Sequence, residues 1–319
     1  MSKPLTADAL IESIKRRASI PENQATFTSE DLLDFANEEL QLGVVPGIMS
    51  VHEDHLLYEE EVALEANRSD YEIPARALGN KLRDLQHKFD ESNIAEMTRI
   101  GIGERFNSYG GSTGVSLKQF YVKGNKVVLS GAAESTPSGS LVFVYYIRPS
   151  ALVLSSKVGI VKNILDNGDG TSKVALDSVP EEFNTSIIYD LYKGDSPASI
   201  LTKDIKPITL DTVGKSITFN TTDIPKELKK GDHVSLACEA NIPQVPSELH
   251  PMLAQMVACR VLESMGDTQG LQNALIKLQQ MERAAGMLID NRIDDAPQKV
   301  VNRHGVIRTS VFTKRFNRR

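Results

Sequence analysis

Tryptophan is absent from this 319-residue chain, and aromatic residues make up only 6% of it. There are two cysteines, Cys238 and Cys259. One falls in a predicted strand and the other in a predicted helix, so they read as small buried apolar residues rather than as a disulfide. Two cysteines also exclude a four-cysteine zinc site. No apolar run approaches the roughly 18 residues of a membrane-spanning helix. The opening Met1-Ser-Lys-Pro4 carries no apolar stretch, so no secretory leader is expected. With a pI near 5.6 and a formal charge of −6, the body is not suited to coating nucleic acid.

Motifs of catalysis are missing as well. No Gly-x-Ser-x-Gly elbow occurs. Val213-Gly-Lys-Ser216 resembles the end of a phosphate-binding loop, but Thr209 stands where the first glycine belongs, and Ser216–Phe219 reads as a strand where a helix is needed. Gly101-Ile-Gly103 lacks the third glycine and the helix of a dinucleotide site. His52-Glu-Asp-His55 has metal-binding residue types, yet its histidines are three apart instead of four, and a solvated acidic patch is the simpler reading. Asp166-Asn-Gly-Asp-Gly170 reads as a hairpin turn, without the distal glutamate of a calcium loop. The expectation is a protein that is not an enzyme and needs no metal or cofactor.

Apolar residues are 40% of the sequence and charged residues 24%, which suits a folded protein with a sizeable core. The length points to two domains or to one with an insertion. Thr6 caps a predicted helix with Leu10, Ile11 and Ile14 on one face. Thr28 and Asp31 form a capping-box pattern ahead of Leu32, Leu33, Ala36 and Leu40, and Gly43 is expected to stop that helix. The period then changes. Leu57–Leu64 suits strand or helix. Tyr71–Ile73 is extended ahead of Pro74, and Leu82–Phe89 and Ile94–Ile100 form a hairpin about Asp90–Asn93. Gly110–Gly114 is a flexible loop; strands follow at 119–123, 126–129 and 141–147. Six further strands are predicted at 158–165, 172–176, 187–192, 205–210, 216–219 and 233–238, as a small β module. Two amphipathic helices, about 249–265 and 268–290, close the pattern and form an antiparallel hairpin across Gly266.

The expected fold class is therefore α+β: a helical bundle of N-terminal helices plus the C-terminal helix hairpin, a β-hairpin sheet region, and an inserted small β-barrel or sandwich. The domains read as 1–155 (first half of the core), 156–243 (inserted β domain), 244–296 (helix hairpin) and 297–319 (extended basic arm). Leu253, Met256, Leu271, Leu275 and Leu278 lie on the apolar stripes of the hairpin and are the candidates for packing one copy against the next. Glu59, Glu60 and Glu61 form an acidic run, read either as a solvated face or as a channel-facing surface that repels DNA phosphates. The arm holds seven Lys or Arg and no acid, leaving −13 on residues 1–296. Its basic residues Lys299, Arg303, Arg308, Lys314 and Arg315 alternate with Val306, Ile307, Phe312 and Phe316. That pattern suits an extended segment in a protein groove, with part of its affinity from strand pairing, better than a nucleic-acid arm.

Several stretches, in order, resemble the head-to-tail adaptor (connector) proteins of tailed bacteriophages, particularly short-tailed ones. They are Leu5-Thr followed by Leu10-Ile11, the segment Ser29–Leu40, Asp70-Tyr-Glu-Ile-Pro-Ala-Arg-Ala-Leu-Gly79, the "YYxRP" strand Leu141–Pro149, and Glu248-Leu-His-Pro-Met-Leu253 running through Ala258–Asp267 to Lys277–Glu282. The resemblance covers 1–150 and 245–319; the β module at 156–242 departs from the compact pattern. It implies a structural virion protein, made in the host bacterial cytoplasm and placed in the neck between portal and tail. The expected partners are further copies in a ring of twelve, the portal protein gripped by the arm residues named above, and a downstream tail or nozzle protein. DNA would pass through the ring non-specifically, and no membrane is involved. A competing reading is a virion appendage whose β module binds a glycan or a tail fibre. Its available aromatic platform is Tyr189 and Tyr192.

Overall fold

The computed structural model describes residues 5–21, 26–51, 53–65, 68–106, 119–130, 139–195 and 197–289. The basic arm, the glycine loop at 110–114 and His52 lie outside the described residues. Residues 1–289 make up one compact unit.

In chain order the first elements are α1 (Ala7–Arg17), α2 (Ser29–Glu39), α3 (Val45–Val51), β1 (Leu57–Ala63), β2 (Asp70–Glu72), β3 (Ala77–Asp90), β4 (Asn93–Glu96), β5 (Thr98–Arg99), β6 (Gln119–Lys123), β7 (Lys126–Ser130), β8 (Ser140–Ile147) and β9 (Ala151–Leu152). The second half contains β10 (Gly159–Asp166), β11 (Thr171–Leu176), β12 (Tyr189–Tyr192), β13 (Ile200–Ile205), β14 (Thr209–Asp211), β15 (Ser216–Asn220), β16 (His233–Leu236), β17 (Glu239–Ala240), α4 (His250–Met265) and α5 (Thr268–Ile289).

This arrangement corrects the expected fold class. The described residues are about 34% helix and 35% strand, so strand weighs as much as helix and a helical bundle is not the organising element. The inserted β region forms a seven-stranded sheet, ordered β13-β12-β16-β10-β11-β15-β14, with every pairing antiparallel; its two halves share one core, and Tyr189 of β12 meets Phe219 of β15 with ring centres 6.2 Å apart although three strands separate them. Two four-stranded sheets, β1-β8-β3-β4 and β2-β7-β6-β5, and a parallel pair, β17-β9, complete the set. Sequence periodicity finds the strands but not their order in the sheet, because that order rests on pairings between residues far apart in the chain.

The helical layer forms where its local signals agree. Thr28 Oγ1 accepts the Asp31 N–H and the Asp31 carboxylate accepts the Thr28 N–H, a complete capping box for α2. Gly43 does not stop the helix. The chain runs on through a wide turn at Leu40–Val44 into α3. A Cβ at Gly43 would meet the Met256 Cε of α4, the movable end of a flexible side chain. Gly266, with φ of +73°, ends α4 in the left-handed conformation that glycine adopts at least cost. Leu10, Ile14, Leu32, Leu40, Leu253, Val257 and Val261 fill the core between α1, α2 and α4.

The strands also carry two corrections. The return strand expected at 94–100 splits at Met97: β4 pairs with β3, whereas β5 pairs with β6 in another sheet. The strand expected at 205–210 is two. Pro207 has no N–H to give a ladder, so β13 ends at Ile205 and β14 starts at Thr209. β8, carrying the "YYxRP" sequence, is buried along its whole length between β1 and β3.

Candidate assembly surfaces

Strand alternation divides the acidic run of β1. Glu60 turns inward, where Lys203 of β13 lies against both its carboxylate and the Tyr145 hydroxyl (2.7 Å from the Lys203 Nζ), and Tyr145 donates to Glu60 at 2.9 Å. Burial, reinforced by Glu60, pushes the Tyr145 phenol well above its ordinary pKa, so it stays protonated and donating. Lys203 also sits 5.2 Å from the ring centre of Tyr58. Glu60 is thus part of the join between two sheets and is not on the face its neighbours share. Glu59 and Glu61 are exposed on the opposite side. Glu61 pairs with Lys88 at 2.7 Å.

Register extends that outer face. Glu59 and Asp84 flank Val144, and Glu61 and Gln86 flank Val142, with Glu96 beyond Gln86. The face has an apolar centre and an acidic rim; Asp54 beside it is held by Arg83.

Sequence reasoning missed the polar joint beneath this sheet. Arg76 is buried and makes a two-pronged contact with Asp190 of β12, at 2.6 and 2.9 Å, while its second nitrogen also reaches Asp204 at 2.8 Å. Asp190 further accepts the N–H groups of Asp204 and Cys238, both at 3.0 Å. Burial works against the Arg76 charge, but the hydrogen bonds and charge of Asp190, with Asp204, outweigh it and raise its pKa. The arginine and its partner are 114 positions apart, a pairing that no local pattern reveals.

The five hairpin residues expected to pack copies together divide as well. Leu253 is completely buried in the chain's own core, and Met256, Leu271 and Leu278 are half-buried against it. Leu275 alone of the five faces outward, at 48% exposure. Two residues that the stripe did not single out join it: Ile276 (60%) and Met287 (71%), eleven positions and so three turns apart on one line of α5. Leu288 is exposed too. Only Ala274 and Ala285 of this 22-residue helix are fully buried. Tyr189 and Tyr192 are fully buried, so neither offers a stacking platform to a sugar.

Among the described residues no group of three or more His, Cys, Asp or Glu is placed to hold a metal ion, and no helix is long and apolar enough to cross a membrane. Val213–Ser216 forms the tip of the β14–β15 hairpin, with the Gly214 N–H on the Asp211 carboxylate at 2.7 Å. Asp166–Gly170 turns β10 into β11. A scan against protein-family models finds no match for this chain, and a comparison with curated proteins finds none either.

Proposed function

We propose that this chain is a structural virion protein, a head-to-tail adaptor whose copies form a ring below the portal, join it to the tail and leave a passage for DNA. The observation that carries this reading is α5. It is a long helix that uses one side for its own core and turns Leu275, Ile276 and Met287 to solvent. Exposed apolar side chains on such a helix can pack on a neighbouring copy, and a heterologous contact whose rotation closes gives a ring. Two further features support it. The adaptor-like stretches occur in the family's order along the chain, and the sequence after α5 is a cationic arm without an acidic residue beyond Asp295. Such an arm reaches an acidic surface outside its own folded unit, and many copies of one modest contact give high avidity.

The test is electron microscopy of the purified full-length chain, alone and mixed with portal rings of a short-tailed phage. Annular particles with a central hole, alone or stacked on the portal, are expected. Dispersed single chains in both samples would overturn the reading.

A further inference from the structure

One acidic surface of the folded unit is built on an edge strand. β1 ends the sheet β1-β8-β3-β4, and only one of its sides is paired. Leu64 N donates to Gly139 O at 3.2 Å, just past the end of the ladder. By alternation, Val62, Glu60 and Tyr58 point their N–H and C=O groups at β8, and Leu57, Glu59, Glu61 and Ala63 point theirs away. Among the described residues, no backbone group meets that outer row. Proteins commonly protect such an edge with charge. Here the exposed charge on the edge strand itself is acidic, Glu59 and Glu61, although Glu61 also pairs with Lys88 of β3; that sign repels an acidic strand and attracts a cationic one.

The chain supplies such a strand. Residues 306–316, Val-Ile-Arg-Thr-Ser-Val-Phe-Thr-Lys-Arg-Phe, are rich in β-branched and aromatic residues and contain no acid, proline or glycine. Alternation places Arg308, Phe312 and Lys314 on one side and Ile307, Val311 and Arg315 on the other. The two sides match those of β1: Glu59 and Glu61 outward, and the half-buried apolar Tyr58 and Val62 inward. The residues between Ile289 and Val306 span up to about 55 Å when extended, enough to leave one subunit for the next.

We propose that residues 306–316 of one copy add as a strand to the outer edge of β1 in a second copy, with Arg308 and Lys314 beside Glu59 and Glu61. This rests on the ring reading for the presence of that second copy. It names the arm's landing site as a sister subunit.

A charge-swap experiment on the full-length chain tests it. One variant carries Glu59→Lys and Glu61→Lys, the other Arg308→Glu and Lys314→Glu, and association is read by sedimentation and native mass spectrometry at low salt. The wild type is expected to associate, and each variant alone to do so about tenfold more weakly, since cross-strand charge pairs turn into repulsions. Mixing the two variants should restore association, because each then offers the other an oppositely charged partner. A mixture no better than its components would place the arm on its own chain and overturn the proposal. Variants that assemble as well as wild type would overturn it while leaving a ring held by α5 intact. A wild-type chain that stays monomeric at low salt would overturn it too, and portal binding would then judge the adaptor reading separately. Glu59→Pro gives an independent check, because it removes one outward N–H without touching the ladder to β8. Loss of association with an unchanged melting curve is expected, and undiminished association would refute strand addition.

Discussion

Leu253 in the helical layer and Arg76 at the junction of the large sheets are both withdrawn from water, but they are held there by opposite means. Around Leu253, α1, α2 and α4 close over Leu10, Ile14, Leu32 and Val257, contacts that are numerous, non-directional and individually weak. Around Arg76, two carboxylates and two backbone N–H groups form one network in which each member needs the others. The helical layer should therefore lose stability in proportion to the volume removed, whereas the junction should fail when a single partner is missing.

Arg76→Ala carries the largest expected effect. It leaves Asp190 buried without its cation and should cost about 3–5 kcal/mol in urea unfolding. Adding Asp190→Asn to Arg76→Met should recover part of that loss, since the amide oxygen still accepts a backbone N–H while the buried charge is gone; a double variant no better than Arg76→Ala would show that the junction is not governed by charge pairing. Leu253→Ala comes next, at about 3 kcal/mol for the cavity it opens, with little dependence on salt.

A third comparison is by pH. His250 is buried, accepts the Leu5 N–H on Nδ1 at 3.0 Å and lies 3.1 Å from the Val245 carbonyl through Nε2. Burial lowers its pKa below the ordinary histidine value. A base whose folded pKa is depressed contributes stability above its unfolded pKa, near 6.5, and that contribution drains away as pH falls toward the folded value. His233, also lowered by burial, adds in the same direction, while Glu239, raised by burial, opposes. Urea midpoints should therefore fall between pH 7.5 and pH 5.5, and His250→Gln should flatten the decline. An unchanged slope in that variant would remove His250 from the account.

The smallest expected effect on stability is Leu275→Ala with Met287→Ser, about 0.5 kcal/mol or less because both side chains already face water. Its consequence should appear in self-association, measured by sedimentation. If the pair instead proves as costly to folding as Leu253→Ala, the outward line of α5 is covered within its own subunit.

What the sequence made legible follows the same division. Features set by neighbours in the chain could be read: the Thr28–Asp31 capping box, Gly266 after α4, the turn at 166–170, and the positions of the two closing helices. The apolar stripe of α5 could be read as well, but not which of its sides faced the core, since Leu275 and Leu278 fit the same pattern and are placed differently. The strand order of the seven-stranded sheet and the Arg76–Asp190 joint were not legible. Both depend on pairings between distant residues, and a lone arginine between two alanines looks like any surface cation. Glu59–Glu61 lies between the two cases. Its acidity was plain, while its division into an outward pair and an inward Glu60 required knowing that the segment is a strand.

The link between Leu5 and His250 spans 245 positions. During synthesis α1 and α2 leave the ribosome long before α4, the helix that covers them, and all the sheets emerge in between. The first helices to appear must therefore wait with Leu10, Ile14 and Leu32 uncovered until nearly the whole folded unit has been made. A chain cut short anywhere before His250 would leave those residues in solvent, marking the fragment for chaperones and proteases however well its strands had paired.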